Sequence, residues 1–438
     1  MAIRPKFVPA LLVVATSIAL LTLYAPSISA QDGAQTPGFL LGERLVLHSQ
    51  LESAGGYNSN VFRGIGANAG SAMVRVGAGL RLSTLDGPRL QGGGKPKIRF
   101  DGGVNAQFIH LFENNTRSGV ALGADLGLVV NPEGRFRLIV GNDFQRRVLP
   151  FTGRGAVNNN YAFINNDATV GFEAASAGDA LRGRTTYSLG AGIFEGRSFS
   201  FANRLSHEVA HQTSWNFFPN SSFQHRVSYR YIDLYNFDVD SPQTTQLLSN
   251  FHQLESTVGL VSAITPKLGY TLEIGYGAGI TTDDRLSDRD ALLATAELRY
   301  DFVADSNISL GYRRGLRVTP SSRSIVADEG RFDISTQRLA RFNFHAGAGV
   351  SYWRYSEFLD ASGAPIDAAN ALRNDVVVQA DAGVDFAMLN WLLLFGEYSY
   401  RQVITDFSFA TNTGAGGVVL DPADFSQSIV WGGLRAKY

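Results

Sequence analysis

The chain contains no cysteine in 438 residues and only three methionines. Disulfides, thiolate zinc sites, iron–sulfur clusters, thiol nucleophiles and a lipid-modified N-terminal cysteine are therefore excluded. Charge of one sign is also missing: 38 Lys and Arg stand against 39 Asp and Glu. That balance excludes the strongly basic surface by which proteins neutralise nucleic-acid phosphates, so no nucleic-acid partner is expected. Beyond residue 30 no apolar run approaches the length of a transmembrane helix. Apolar material itself is not short. At 45% hydrophobic and 11% aromatic, the chain has enough to fold rather than stay disordered.

The first 30 residues have the three parts of a secretory signal. Arg4 and Lys6 give a positive start, and Phe7 to Leu23 is apolar apart from Pro9, Thr16, Ser17 and Thr22. Pro26-Ser27-Ile28-Ser29-Ala30 then supplies a helix breaker and small residues before polar Gln31-Asp32-Gly33. A signal peptide over 1–30, removed on export, is expected, with a short periplasmic segment over 31–42 and one domain over 43–438. A membrane-anchoring helix is the weaker alternative.

From residue 43 onward the period is two. Val120, Leu122, Ala124, Leu126, Leu128 and Val130 occupy alternate positions, as do Leu268, Tyr270, Leu272, Ile274 and Tyr276, and Val376, Val378, Ala380, Ala382, Val384 and Phe386. Alternate side chains of a strand point to opposite faces, so each run has an apolar face and a polar one. The runs last about 11 to 14 residues, long for a globular strand and suited to a tilted bilayer crossing. Eighteen can be placed, at about 23 residues per strand and connection. The segments near 203–215 and 325–341 are the least regular, and without them the count is 16. The fold expected is all-β: a transmembrane antiparallel up-and-down β-barrel in outer-membrane lipid.

Short connections alternate with long ones. Asn131-Pro132-Glu133-Gly134, Thr265-Pro266-Lys267, Ala304-Asp305-Ser306 and Met388-Leu389-Asn390 are turns, whereas 149–161, 236–249, 280–289, 359–372 and 405–425 are longer and polar. Outer-membrane barrels combine short periplasmic turns with longer extracellular loops in this way, and the 84–97 connection is the exception. Val430, Gly432, Leu434, Ala436 and Tyr438 alternate up to a terminal aromatic, a pattern suited to recognition by the barrel-assembly machinery. Tyr187, Trp215, Phe223, Tyr231, Tyr300, Tyr312, Tyr398 and Tyr400 are candidates for the interfacial girdles.

If the apolar face meets lipid, the other face lines the lumen. There it carries Arg75, Arg99, Arg137, Arg226, Glu273, Glu297, Arg299, Arg313, Asp381 and Glu397 as candidates for the transport path. Unpaired charges cannot sit in a dry core, so the lumen must be hydrated, cross-linked by ion pairs, or both. Trp353 and Trp391 are candidate stacking faces. Too few residues precede the first strand to form a plug, and the longest loop, 405–425, is the candidate for a constriction.

His207-Glu208-Val209-Ala210-His211 matches the H-E-x-x-H zinc-protease pattern. That chemistry needs a helix, because one turn brings both histidines to a single zinc. On a strand they would be about 13 Å apart, so no catalytic residues, metal or cofactor are expected, and the chain is read as a non-enzyme.

Gly56-Tyr57-Asn58-Ser59-Asn60-Val61-Phe62-Arg63 resembles the opening of the β-barrel porin family associated with exopolysaccharide systems. The likeness is specific over these eight residues and architectural elsewhere. It implies a barrel that carries a secreted polysaccharide across the outer membrane of a Gram-negative bacterium, working with periplasmic polysaccharide-export components. The alternative is a passive diffusion porin for small hydrophilic solutes, and a third reading is an adhesive or structural barrel.

Overall fold

A computed structural model describes residues 38–42, 44–61, 70–84, 97–113, 118–148, 162–196, 203–234, 250–303, 305–319, 322–339, 341–357, 372–405, 407–412, 418–422 and 424–438. The expected signal and residues 31–37 of the expected periplasmic segment lie outside them. So does the interior of the exceptional 84–97 connection.

The strands are β1 (Phe39–Leu41), β2 (Leu45–Asn58), β3 (Ser71–Thr84), β4 (Ile98–Leu111), β5 (Gly119–Val130), β6 (Phe136–Arg147) and β7 (Phe163–Ala175). After a three-residue 3-10 turn at Ala177–Asp179 come β8 (Leu181–Phe194), β9 (Arg204–Phe218), β10 (Ser221–Leu234), β11 (Phe251–Thr265), β12 (Leu268–Thr281), β13 (Arg289–Val303) and β14 (Ser306–Thr319). The rest are β15 (Ser322–Leu339), β16 (Phe342–Tyr355), β17 (Asn374–Leu389), β18 (Leu392–Ile404), β19 (Ser408–Asn412), β20 (Val418–Pro422) and β21 (Phe425–Lys437).

Eighteen of these, β2 to β18 and β21, pair antiparallel with their neighbours, and β21 pairs back on β2 to close the barrel. The two irregular segments are both strands: β9 has 15 residues and β15 has 18. β1 runs along the first residues of β2, past the point where β21 ends. β19 and β20 form a separate hairpin.

Turn chemistry explains one end of the barrel. Asn131 adopts φ 57° and Asp305 φ 61°, a left-handed conformation that short polar side chains tolerate. The Asn131 Nδ2 donates to the Phe136 carbonyl at 2.8 Å, closing the β5–β6 turn. Register shifts at Ser221/Ser222, Ala263/Thr265, Asp301/Val303, Thr336/Leu339 and Ala387/Leu389 fall beside these short turns. Such bulges tighten the local twist where a strand must reverse.

The outer face has the layering of a bilayer. On β13 the outward residues between Asp290 and Tyr300 are Leu292, Ala294, Ala296 and Leu298. Ten residues tilted by about 40° span about 25 Å, the height of the apolar belt of such barrels. At the short-turn rim the belt ends in aromatic contacts: Phe136 with Phe172, Trp215 with Phe217, Phe342 with Phe386, and Phe39 with Tyr438. Toward the long-loop rim tyrosines bond polar partners on the next strand: Tyr187 with His207, Tyr229 with His252, Tyr276 with Asp290, and Tyr312 with Asp328. An amphipathic ring with a satisfied hydroxyl suits that boundary.

Candidate pore wall and its mouth

Carried from strand to strand by the register, the polar positions fall on one surface. Arg75 faces Ala54 on one side and Ile109 on the other. Asp125, Asp143 and Asp167 oppose each other on β5, β6 and β7, and Glu273, Thr295 and Arg313 share a row on β12, β13 and β14. The exposed leucines, valines and aromatics lie on the opposite surface. All ten predicted positions sit on the inner face, but in different situations.

Some are locked. Arg75 Nε is 2.6 Å from Glu52 Oε1, and its Nη2 is 3.4 Å from Glu397 Oε2. Arg435 joins the same two carboxylates at 2.9 and 3.2 Å and reaches Asp385 at 3.7 Å. The Arg435 guanidinium lies 4.5 Å from the Phe395 ring centroid, and that of Arg75 lies 4.6 Å from Trp431. This five-charge network crosses the seam where β21 meets β2, and the side chains of Glu52 and Arg435 are only 4% and 3% exposed. Arg137 pairs with Glu173 at 3.0 Å, Asp381 with Arg331 at 2.9 Å, and Arg299 with Asp301 at 3.0 Å.

Others are free. Glu273, Glu297 and Arg313 make no ion pair or side-chain hydrogen bond among the described residues. Arg226 has only a 3.8 Å approach to Glu208, and its side chain is 59% exposed. Arg99, at the exposed lower end of β4, is not one of the free charges. Glu52, the centre of the seam, was not among the predicted positions. Its parity, between Leu51 and Ser53, was the available signal, but the glycine-rich end of β2 weakens the alternation.

The mouth at the long-loop end departs from the expectation of a lumen that is hydrated, cross-linked by ion pairs, or both. Along most strands burial alternates, yet Ile325, Val326 and Ala327 are 1%, 3% and 1% exposed in succession, so β15 is covered on both faces there. The cause is the β14–β15 hairpin. Pairing of β13 with β14 stops at Ala294–Arg314, while β14 and β15 stay paired to Thr319–Ser322. Leu316, on the lipid side by parity, packs instead with Ala291 and Leu293. A Cβ on Gly277, which faces the lumen, would be 2.9 Å from it. Arg289 donates to the carbonyls of Tyr355 at 3.1 Å and Arg354 at 3.4 Å, bridging β13 directly to β16. The hairpin tip therefore leaves the wall and leans inward across β12 and β13.

Residues of the 405–425 loop contribute too. Phe407 and Phe425 are buried with Ile325, Trp353, Tyr355, Val377 and Val403 on the inner side. A second apolar cluster joins Val61, Met73, Ile109 and Leu111. The lumen is thus charged at mid-height and partly apolar at the mouth. Of the two tryptophans expected in the lumen, Trp353 belongs to the first cluster. Trp391 sits instead in the β17–β18 turn, 50% exposed, because the short connection turns it out of the barrel.

The H-E-x-x-H segment lies within β9. Glu208 points inward and bonds Arg230 (Nε–Oε2 2.8 Å), while His207 and His211 face outward and bond Tyr187 at 2.8 Å and Thr185 at 2.9 Å. The acid and the two histidines are on opposite faces of the wall, which no zinc-protease geometry allows. Val430, Gly432, Leu434, Ala436 and Tyr438 lie along the outer side of β21, with Val430 and Leu434 exposed to the lipid zone. Tyr438 exchanges backbone hydrogen bonds with Ser49 at 2.8 and 2.9 Å.

No protein-family model matches the chain, and no curated protein matches its sequence. Solved structures overlap it loosely. The structure of Pseudomonas aeruginosa OpdK with vanillate shares 8% identity, covering 90% of this chain and 99% of that one, at a TM-score of 0.47. The FrpB iron transporter from Neisseria meningitidis also shares 8%, covering 91% and 82%, at 0.47. Acinetobacter baumannii OccAB4 shares 11%, covering 90% and 98%, at 0.45. Overlaps this loose carry no function from those proteins to this one.

Proposed function

We propose that this chain is an outer-membrane channel through which small hydrophilic solutes diffuse across the envelope of a Gram-negative bacterium. The observation that carries the reading is the contrast of faces on one closed wall. Outside is an apolar belt between two aromatic girdles, and inside are carboxylates and guanidinium groups left without partners among the described residues, which water or a passing solute can satisfy. Among the described residues no inner-face constellation pairs a nucleophile with its base, so transport rather than catalysis is the reading. The terminal strand, ending on Tyr438, would present its outer face to the assembly machinery before the seam closes.

Polysaccharide export, implied by the resemblance at 56–63, is the less favoured reading. A polymer would have to thread past the β14–β15 tip and the aromatic cluster behind it. Single-channel recording on the folded protein in a planar bilayer tests the proposal. Discrete ohmic steps, with small sugars entering proteoliposomes by swelling assay, are expected. A folded, inserted protein that passes neither ions nor sugars would overturn it. Loss of surface polysaccharide in a deletion strain, with solute uptake intact, would restore the export reading.

A further inference from the structure

We propose that the inner face of β8–β10 seats oxyanions, the carboxylate or phosphate groups of hydrophilic solutes, between Arg184 and Arg226. This deepens the diffusion-channel reading and rests on it. These three strands turn five arginines and a single carboxylate, Glu208, toward the lumen, a local excess found on no other three consecutive strands of the described barrel. Arg184 and Arg226 lie in one register row on either side of Gln212. Two strand spacings separate their backbones by about 10 Å, a gap that two long side chains can close on one ligand.

Both have donors to spare. Arg184 makes no ion pair or hydrogen bond among the described residues, and the carboxylate directly opposite it, Glu173, is already held by Arg137 at 3.0 Å and Arg182 at 3.3 Å. Arg226 approaches Glu208 no closer than 3.8 Å, because Arg230 occupies that carboxylate. The Gln212 amide, which donates to Gln224 at 3.2 Å, lies between them. A planar guanidinium matches a carboxylate or phosphate edge with two parallel hydrogen bonds, so two of them flanking an amide select a flat or tetrahedral oxyanion over a neutral sugar.

The test is reversal potential under a potassium chloride gradient, followed by titration of inorganic phosphate and, separately, acetate. In the wild type the chloride-over-potassium permeability ratio should fall severalfold on R184A/R226A, and millimolar phosphate or acetate should reduce the wild-type current but not the variant's. R184K/R226K should keep most of the permeability ratio and lose most of the oxyanion effect, since lysine keeps charge without the planar fork. Gln212→Glu, which places a carboxylate between the two arginines, should lower the ratio as the double alanine variant does. That variant keeps the test open if the double alanine protein does not fold. Reduction by phosphate alone, or by acetate alone, would assign the seat to that oxyanion. Conducting variants with unchanged ratio and unchanged block would overturn the seat while leaving the channel standing. A folded wild type that does not conduct would remove the channel and the seat together.

Discussion

Two stretches of the same inner wall use the same residue types for opposite ends. At the seam, Glu52, Arg75, Asp385, Glu397 and Arg435 neutralise one another at 2.6 to 3.7 Å and are mostly withdrawn from water. Across β8 to β14, Arg184, Glu273, Glu297 and Arg313 stand without partners among the described residues. The difference lies in which strands meet. The seam joins the two ends of the chain, where no turn enforces register, and side-chain pairing there adds specificity to a closure the backbone alone leaves weakly defined. Between β8 and β14 the three short-turn-end connections are turns of two residues each, so register is set by the turn. There the side chains are free to face solute.

That comparison can be broken in order of effect. Glu52→Ala would leave Arg75 with one of its two carboxylates and buried Arg435 with two of its three, and should cost about 3–5 kcal/mol in a urea titration of the folded barrel. A cost under about 1 kcal/mol would mean the seam does not depend on its charges. Next come two neighbours on opposite faces of β12. Leu272→Arg puts a charge into the lipid belt and should cost about 2–4 kcal/mol, whereas Glu273→Arg, one residue on, should leave the unfolding midpoint unchanged. Equal costs would refute the assignment of faces.

A smaller effect is expected at the mouth. Arg289→Ala removes the donor that ties β13 to the Arg354 and Tyr355 carbonyls, worth about 1.5–3 kcal/mol for a charged hydrogen bond. It should raise single-channel conductance by loosening the hairpin tip, and an unchanged conductance would show that the tip does not narrow the path. The smallest change is Glu297→Gln, which should alter cation permeability while leaving stability where it was. A destabilised Glu297→Gln barrel would move that carboxylate from the free group to the locked one.

Much of this was legible because a barrel wall is a period-two object. The alternation of Leu268 to Tyr276 tells which residues share a face, and once the strands are placed, Arg75 and Glu397 can be assigned to the same surface by parity alone. Turn residues such as Asn131 and Asp305 mark the reversals for an equally local reason, their tolerance of positive φ. The sequence by itself therefore determined the barrel class and the sidedness of most strand residues, since both follow from local geometry, while the choice between 18 and 16 strands waited on β9 and β15. Tertiary structure alone decided which charges pair, because Arg435 and Glu52 are 383 residues apart and their meeting depends on closure. It alone decided that the β14–β15 tip leaves the wall, because burial of Val326 on the lipid-side parity is set by what lies across the lumen, not by its neighbours in the chain.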